Sequence, residues 1–345
     1  MTPTAPPNAA LPPPIQMLHR ITGYWISCGV HVAARLSIAD HLAKGPRSAA
    51  ELAKTAGAHA PTLHRLLRML ASDGIFRETD DGRFENTALS ETLRADAPAS
   101  IKPFAIMMVD GPSFLAWNDL LETVKTGDEA FRRVHGVGGF EYLAAHPDKA
   151  KEFGEAMTSI SGTENPAIAE AYDFRGIRTL VDVGGSHGSL LAAILPRNPG
   201  LRGAVYDRAE VVENARNDVH VRASGVDGRL ELLAGNFFDE VPAGADAYIM
   251  KYILHDWDDV QSKQILSNCR KAMAKGGRVL VVDNVIPEGN DPHWGKMLDM
   301  NMLVLTPGRE RTEAEFQKLF SSAGLRVARI VPTACPLSIV EGFAA

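Results

Sequence analysis

From Thr179 to Asp283 the chain repeats one pattern, a short apolar run rich in β-branched residues followed by a helix-like stretch. The runs are TLVDVGG, GAVYD, LELLAG, ADAYIMKYI and RVLVVD. Continuous apolar runs belong to strands buried on both faces, and strands alternating with helices build a parallel sheet covered on both sides. The last two runs, LRVARIV and LSIVEGF, are separated only by a short gap around Pro332 to Pro336. A parallel crossover needs about a dozen residues, so these strands must be antiparallel. The pattern predicts an α/β, Rossmann-like doubly wound sheet over 174–345 that finishes on a reversed strand.

Ahead of the sheet, 15–173 reads as mostly helical. AAELAKTA (49–56) and PTLHRLLRMLAS (61–72) form two amphipathic helices about Gly57, with Pro61 suited to a first helical turn. GIFRETDDGRFENT then reads as two strands around Asp81-Gly82. Two helices and a two-stranded wing make a winged-helix segment over about 48–94, a layout that often binds DNA. Phosphate neutralisation requires a basic face, whereas this segment holds six Lys/Arg against seven Asp/Glu. Packing or dimerisation is the preferred role. Residues 1–14, MTPTAPPNAALPPP, hold six of the 21 prolines and neither a basic residue nor an apolar core, so they read as a disordered arm rather than a secretory signal.

Composition narrows the partners. With 345 residues, 45% hydrophobic and 23% charged, the chain has material for two domains with sizeable cores. A net charge of -6 leaves no electrostatic footprint for nucleic acid or an acidic membrane, and no apolar run approaches the roughly 18 residues of a bilayer span. The partner is expected to be a small molecule. Cys28, Cys269 and Cys335 are too few and scattered for a disulfide framework or a metal site, which fits a reducing cytoplasm.

The first strand ends in VDVGGSHGSLL, which admits two readings. Gly184-Gly185-Ser186-His187-Gly188 fits the G-x-S-x-G elbow of a serine hydrolase. In that fold the elbow follows several strands and an H-G-G-G oxyanion motif precedes it; here it follows the first strand and no such motif exists. As a dinucleotide turn the segment would need G-x-G-x-x-G, but Ser186 and Ser189 occupy the second and third glycine positions. The second strand still ends in an acid, Asp207, about twenty residues on, where a ribose hydroxyl would be held. A nucleoside ligand without a pyrophosphate satisfies both observations, and S-adenosylmethionine is such a ligand.

The ordered set LVDVGGSHG, VYD, GNFF, MKYILHDWDD, GGRVLVVD and GRERTEAEF resembles the S-adenosylmethionine-dependent O-methyltransferases of the plant caffeate and acetylserotonin type, with bacterial small-molecule members. The resemblance covers nearly the whole chain and implies that the helical N-terminal domain dimerises, so a homodimer is expected. It implies that Gly184, Gly185, Ser186 and Gly188 shape the cofactor loop, with Asp182 facing the methionine end. Asp207 would hold the ribose, Asn236 and Phe237 the adenine, and Lys251 would line the cleft. Ser186 stands where the family has a third glycine, and Asn236 where it has an acid. Trp257 reads either as core or as a lid on the adenine.

The resemblance makes His255 the general base, oriented by two acids at the positions of Asp283 and Glu310. Its place at a strand end suits it, because open α/β sheets carry their sites at the carboxyl ends of strands, and an imidazole of ordinary pKa near 6.5 is a neutral base at pH 7. Asp283 is one methylene shorter than the family's glutamate, which makes Glu310 the better placed orienter. Asp258 with Gln261, and Thr312 with Glu315, read as helix caps. No second histidine stands at metal-ligand spacing from HDWDD, so no metal is expected. Met107, Met108, Met157, Met297, Met300 and Met302 fall in segments that the resemblance places around the acceptor pocket, with Asp256 beside them. The acceptor is expected to be a hydrophobic hydroxylated molecule. Two other classes stay open: a hydrolase using Ser186, and a cofactor-binding protein of the same scaffold with non-methyltransferase chemistry.

Overall fold

The structure, a computed structural model, describes residues 11–216, 225–226 and 228–345. These divide into two compact units, one of 11–111 with 152–159, the other of 112–151 with 160–345.

In the first unit, Ser48 opens the helix Ala49–Ala56 through a capping box: its Oγ accepts from Glu51 N–H, and Glu51 Oε2 accepts from Ser48 N–H at 2.7 Å. Gly57, at φ +66°, closes that helix. The next helix, Ala60–Ser72, carries Pro61 in its first turn and buries Leu63, Leu67 and Leu70, which the 3.6-residue period places on one face. These pack with Ile38, Leu52, Phe76 and Phe84. The phenylalanines come from strands β1 (Phe76–Glu78) and β2 (Phe84–Asn86), which pair antiparallel across the Asp81-Gly82 turn. The arm expected over 1–14 lies outside the described residues up to 10. Its end differs from expectation, since Pro13 and Pro14 already sit in the helix Pro13–Ile21, whose first turn needs no N–H from either. That helix and the following Gly23–Arg35 expose Ile15, Met17, Leu18, Ile21, Tyr24 and Trp25.

The helical stretch expected as one domain over 15–173 is divided. Ala116, Ala130 and Phe131 bury themselves with Val304, and Ile168, Ala169 and Tyr172 join the sheet's core, so 112–151 and 160–173 belong to the second unit. Burial of their apolar faces decides this, which helical periodicity does not.

The second unit is built on seven strands in the order β10-β11-β7-β6-β3-β4-β5. Five run parallel: β3 (Thr179–Val183), β4 (Arg202–Asp207), β5 (Leu230–Ala234), β6 (Ala247–Lys251) and β7 (Arg278–Asp283). Short pieces β8 (Val285–Ile286) and β9 (Arg311–Thr312) pair beside the sheet. At the far edge β11 (Ser338–Ala344) is antiparallel to both β7 and β10 (Leu325–Pro332), the expected reversal. One apolar cluster contains Leu180, Val205, Ile249, Leu280 and Val282, and a second contains Val181, Tyr248, Met250, Val279 and Val281, so alternate residues of the same strands feed two cores. Strand order reverses between β3 and β6, and such a switch point opens a crevice at the carboxyl edge. Among the described residues no helix is long and apolar enough to cross a membrane.

Candidate active site

The strand ends at the switch point converge on one crevice. β3 delivers Asp182, β4 ends on Asp207, β6 on Lys251 and β7 on Asp283. After β3 the chain turns through Gly184 at φ +70° and Ser186 at φ +50°. The left-handed conformation disfavours ordinary L residues, and serine tolerates it here because its N–H is fixed by Asp207 Oδ2 at 2.9 Å. Gly185 has a different reason: a Cβ there would stand 2.6 Å from the Asp182 carboxyl carbon. Above the turn lies Phe237, whose Cε1 is 3.6 Å from the place a Gly184 Cβ would take. Gly188, at φ +81°, starts the helix Ser189–Ile194.

Asp182 is buried, and its Oδ2 has no hydrogen-bond partner among the described residues. Burial pushes its carboxyl up to about 7, against the pull of Lys251 and with help from Asp207. The Asp207 carboxyl is also raised by burial, while the N–H groups of Arg208 and Ser186 oppose the shift. Lys251 Nζ donates to Ser161 Oγ (2.7 Å), Asn165 Oδ1 (2.9 Å) and Glu164 Oε2 (3.2 Å). Burial lowers its pKa, and Glu164 works the other way. Ser161, Glu164 and Asn165 come from the helix Pro147–Ala171 and escape motif reading, because polar residues within a helix look like a solvated face.

Asn236 is engaged within its own loop. Its Oδ1 accepts from Phe238 N–H at 3.0 Å and its Nδ2 donates to Asp239 Oδ2 at 2.9 Å, so the amide closes its own turn. Trp257 stacks on Phe140 with centroids 5.8 Å apart and meets Phe238 edge-on at 4.8 Å, forming part of a half-buried aromatic cluster.

On the same edge lies the histidine. His255 belongs to the 3-10 turn Leu254–Asp256 and is 7% exposed. Its Nδ1 and Glu310 Oε1 are 2.8 Å apart, so Nδ1–H donates to the carboxylate, and when the ring is neutral it is Nε2 that carries the lone pair. Asp256 Oδ1 stands 3.6 Å from Nε2. Asp283 forms no ion pair with the ring; its Oδ1 instead accepts the N–H of Tyr252 at 3.1 Å, in keeping with its shorter reach. Buried Asn284 donates to Glu310 Oε1 at 3.4 Å, and Asp299 Oδ1 holds the Glu310 N–H at 2.9 Å. The turn is fastened by Arg311, fully buried, which donates to the carbonyls of Leu254 (2.9 Å) and Trp257 (3.0 Å) and to Asp259 Oδ1 (2.9 Å). Gly308 presses its bare backbone against the His255 carbonyl, where a Cβ would collide. Arg311 and Gly308 flank Glu310 in GRERTEAEF, yet neither contact is visible from sequence. The caps form as read, with Asp258 accepting from Gln261 N–H and Thr312 paired with Glu315.

The imidazole does not keep its ordinary pKa. Burial alone would lower it, but Asp256, then Glu310 and Asp283, favour the imidazolium more strongly and push it up to about 10. The Asp256 carboxyl is raised by burial to about 6, and burial raises that of Asp283 further. Asp283 Oδ2, Asn284 Oδ1 and Glu310 Oε2 are buried acceptors without a hydrogen-bond partner among the described residues.

Of the methionines expected at an acceptor pocket, Met108 and Met157 are half-buried in the first unit. Met300 is half-buried and Met297 61% exposed on the helix Trp294–Leu305 of the second. Among the described residues no group of three His, Cys, Asp or Glu side chains is arranged to hold a metal ion.

Comparison with known proteins gives this geometry a context. A family profile described as the O-methyltransferase domain matches residues 117–326, and one described as the O-methyltransferase dimerisation domain matches 18–96. Phenazine O-methyltransferase PhzM of Lysobacter antibioticus is 44% identical over 325 residues, covering 94% of each chain. Mitomycin biosynthesis 6-O-methyltransferase of Streptomyces lavendulae is 40% identical over 93% of this chain and 92% of its own. The crystal structure of human N-acetylserotonin methyltransferase in complex with S-adenosylmethionine superposes with a TM-score of 0.89 at 25% identity, covering 98% of this chain and 99% of that one.

Asp182 supplies a stability test. Its folded pKa of about 7 exceeds the ordinary 3.8, so the native state binds this proton more tightly; the resulting stability is complete below about pH 3.8 and is lost as pH rises through about 7. In the ligand-free protein, Asp182→Asn should make Tm fall less steeply between pH 4 and 7. A thermal melt series with the parent's slope unchanged would refute the assignment.

Proposed function

The chain belongs to the O-methyltransferase family, and from that premise we propose that it methylates a hydroxyl of a hydrophobic, aromatic or polyketide-like small molecule, with His255 as the general base. S-adenosylmethionine, its methyl donor, supplies when bound an electrophilic methyl group on a sulfonium sulfur. The crevice fits it on three counts: the unpartnered Asp182 Oδ2 meets a positive methionine end, Gly184 and Gly185 leave bare backbone, and Asp207 keeps lone pairs for ribose hydroxyls. Gly188 completes the loop, Phe237 offers an apolar face to the adenine, and Lys251 balances the crevice carboxylates. Asn236 and Trp257 support that wall through their turn and their ring cluster.

The single observation behind the base is the 2.8 Å His255–Glu310 bond. It selects the tautomer with Nε2 bare and holds the ring plane, so Nε2 can take the acceptor's proton as its oxygen attacks. Asp256 beside Nε2 favours the imidazolium that forms. The transfer needs alignment more than activation, which a rigid buried ring serves. Met297 and Met300, on the helix Trp294–Leu305 of the second unit, are assigned to the acceptor, since thioethers adapt to flat polycyclic surfaces such as those the phenazine and mitomycin relatives handle. The chain forms a homodimer, for which the exposed apolar residues of Pro13–Ile21 and Gly23–Arg35 supply a surface. Three free cysteines accord with a cytoplasmic setting.

Three experiments test this reading. His255→Ala should lower kcat about 10²- to 10⁴-fold with cofactor affinity nearly constant, and Glu310→Gln should cost less. Because the free enzyme holds His255 protonated up to about pH 10, kcat/KM of the parent should climb with pH above 7, and that limb should vanish in His255→Ala. Retention of most of kcat by His255→Ala would sink the base assignment. Asp207→Ala should weaken S-adenosylhomocysteine by about 1.5–3 kcal/mol in calorimetry, with no NAD binding in either protein. Turnover should survive EDTA; complete loss restored by magnesium would demand a different mechanism.

A further inference from the structure

Tyr252 stands between the two halves of the site and has no part in the mechanism above. It follows Lys251 at the end of β6 with φ +57°, one of three non-glycine residues in the left-handed region among the described residues. An L residue holds this conformation only when its surroundings insist on it. Here the insistence is visible: Tyr252 N–H donates to Asp283 Oδ1 at 3.1 Å, and its hydroxyl donates to Glu164 Oε1 at 2.6 Å. Between these anchors the phenol ring stacks on His255, centroids 4.9 Å apart and planes 27° apart. Glu164 also pairs with Lys251, whose charge acts on Asp182.

We propose that Tyr252 is a positioning residue whose ring, seated by Asp283 and tied by its hydroxyl to the Glu164–Lys251 pair, fixes the plane of His255. This rests on the reading of His255 as base. It gives Asp283 a second task beside its charge on the imidazole, since that carboxylate also holds the Tyr252 backbone. The Glu310 bond alone leaves the ring free to tilt about its Nδ1–O axis; a second aromatic plane removes that freedom. A displacement of about 1 Å at a reacting group can cost about 10²-fold in rate.

The test uses full-length protein with histidine carbon-13 labelled in the ring, saturated with S-adenosylhomocysteine and observed by NMR. The parent should show one sharp His255 Cε1–H signal, assigned by its loss in His255→Ala. Tyr252→Leu and Asp283→Leu should broaden or split that signal while the other histidines stay in place, and Tyr252→Phe, which keeps the ring and loses the hydroxyl tie, should restore most of its sharpness. With a hydroxyphenazine acceptor, Tyr252→Leu should lower kcat about 10- to 100-fold with KM changed less than about twofold. A sharp, unmoved His255 signal in Tyr252→Leu overturns the proposal, as does a general collapse of all histidine signals in both Tyr252→Leu and Tyr252→Phe. Failure of the base reading appears elsewhere, as His255→Ala retaining kcat while the NMR differences stand.

Discussion

Every functional side chain of the second unit depends on five strands pointing the same way. The parallel strands β3, β4, β6 and β7 lie inside the sheet and are largely buried, so their bodies are mainly apolar and their polar groups gather towards the ends, whereas β5 at the edge exposes Glu231. Asp182, Asp207, Lys251 and Asp283 occupy the carboxyl ends of four neighbouring strands, and the reversal of order between β3 and β6 separates the first pair from the second just enough to leave a crevice. Asp182, Asp207, Lys251, Asp283 and the His255 turn therefore share one edge.

That arrangement concentrates charge where water is scarce. Isolated ions are costly in such surroundings, and the site is balanced by pairing: Lys251 with Glu164, His255 with Glu310, Arg311 with Asp259 and two carbonyls. The balance is incomplete by design of the fold, since Asp182, Asp283, Asn284 and Glu310 each keep an unpartnered buried atom. Buried acceptors of this kind call for a ligand or a proton, and the upward pKa shifts of Asp182 and Asp256 express the same demand. A cationic ligand in the crevice meets it. On the proposed reading the imidazolium then faces an added positive charge, which eases release of its proton.

Rigidity comes from contacts that carry no chemistry. Arg311 fastens both ends of the His255 turn, and Gly308 lets the Glu310 loop lie directly on it. These two flanking residues fix how far Glu310 stands from the ring, so the dyad is set by backbone placement more than by the attraction of its members.

Much of this was legible in the residues themselves. The strand runs, the reversed final strand, the caps at Asp258 and Thr312 and the glycine turn follow from local rules: side-chain period, left-handed tolerance and the reach of a connection. The ordered motifs carried the family and pointed to His255 and Glu310. Tertiary structure alone decided the rest. It gave 112–151 to the sheet unit, set the Asp283 carboxylate on the Tyr252 N–H, and brought Ser161, Glu164 and Asn165 to Lys251 from nearly ninety residues away. It also moved His255 from an ordinary pKa to about 10. Sequence determines what each residue prefers over a few neighbours; which carboxylate stands beside which cation depends on distances across the fold, and Coulomb energies in a dry interior are set by those distances.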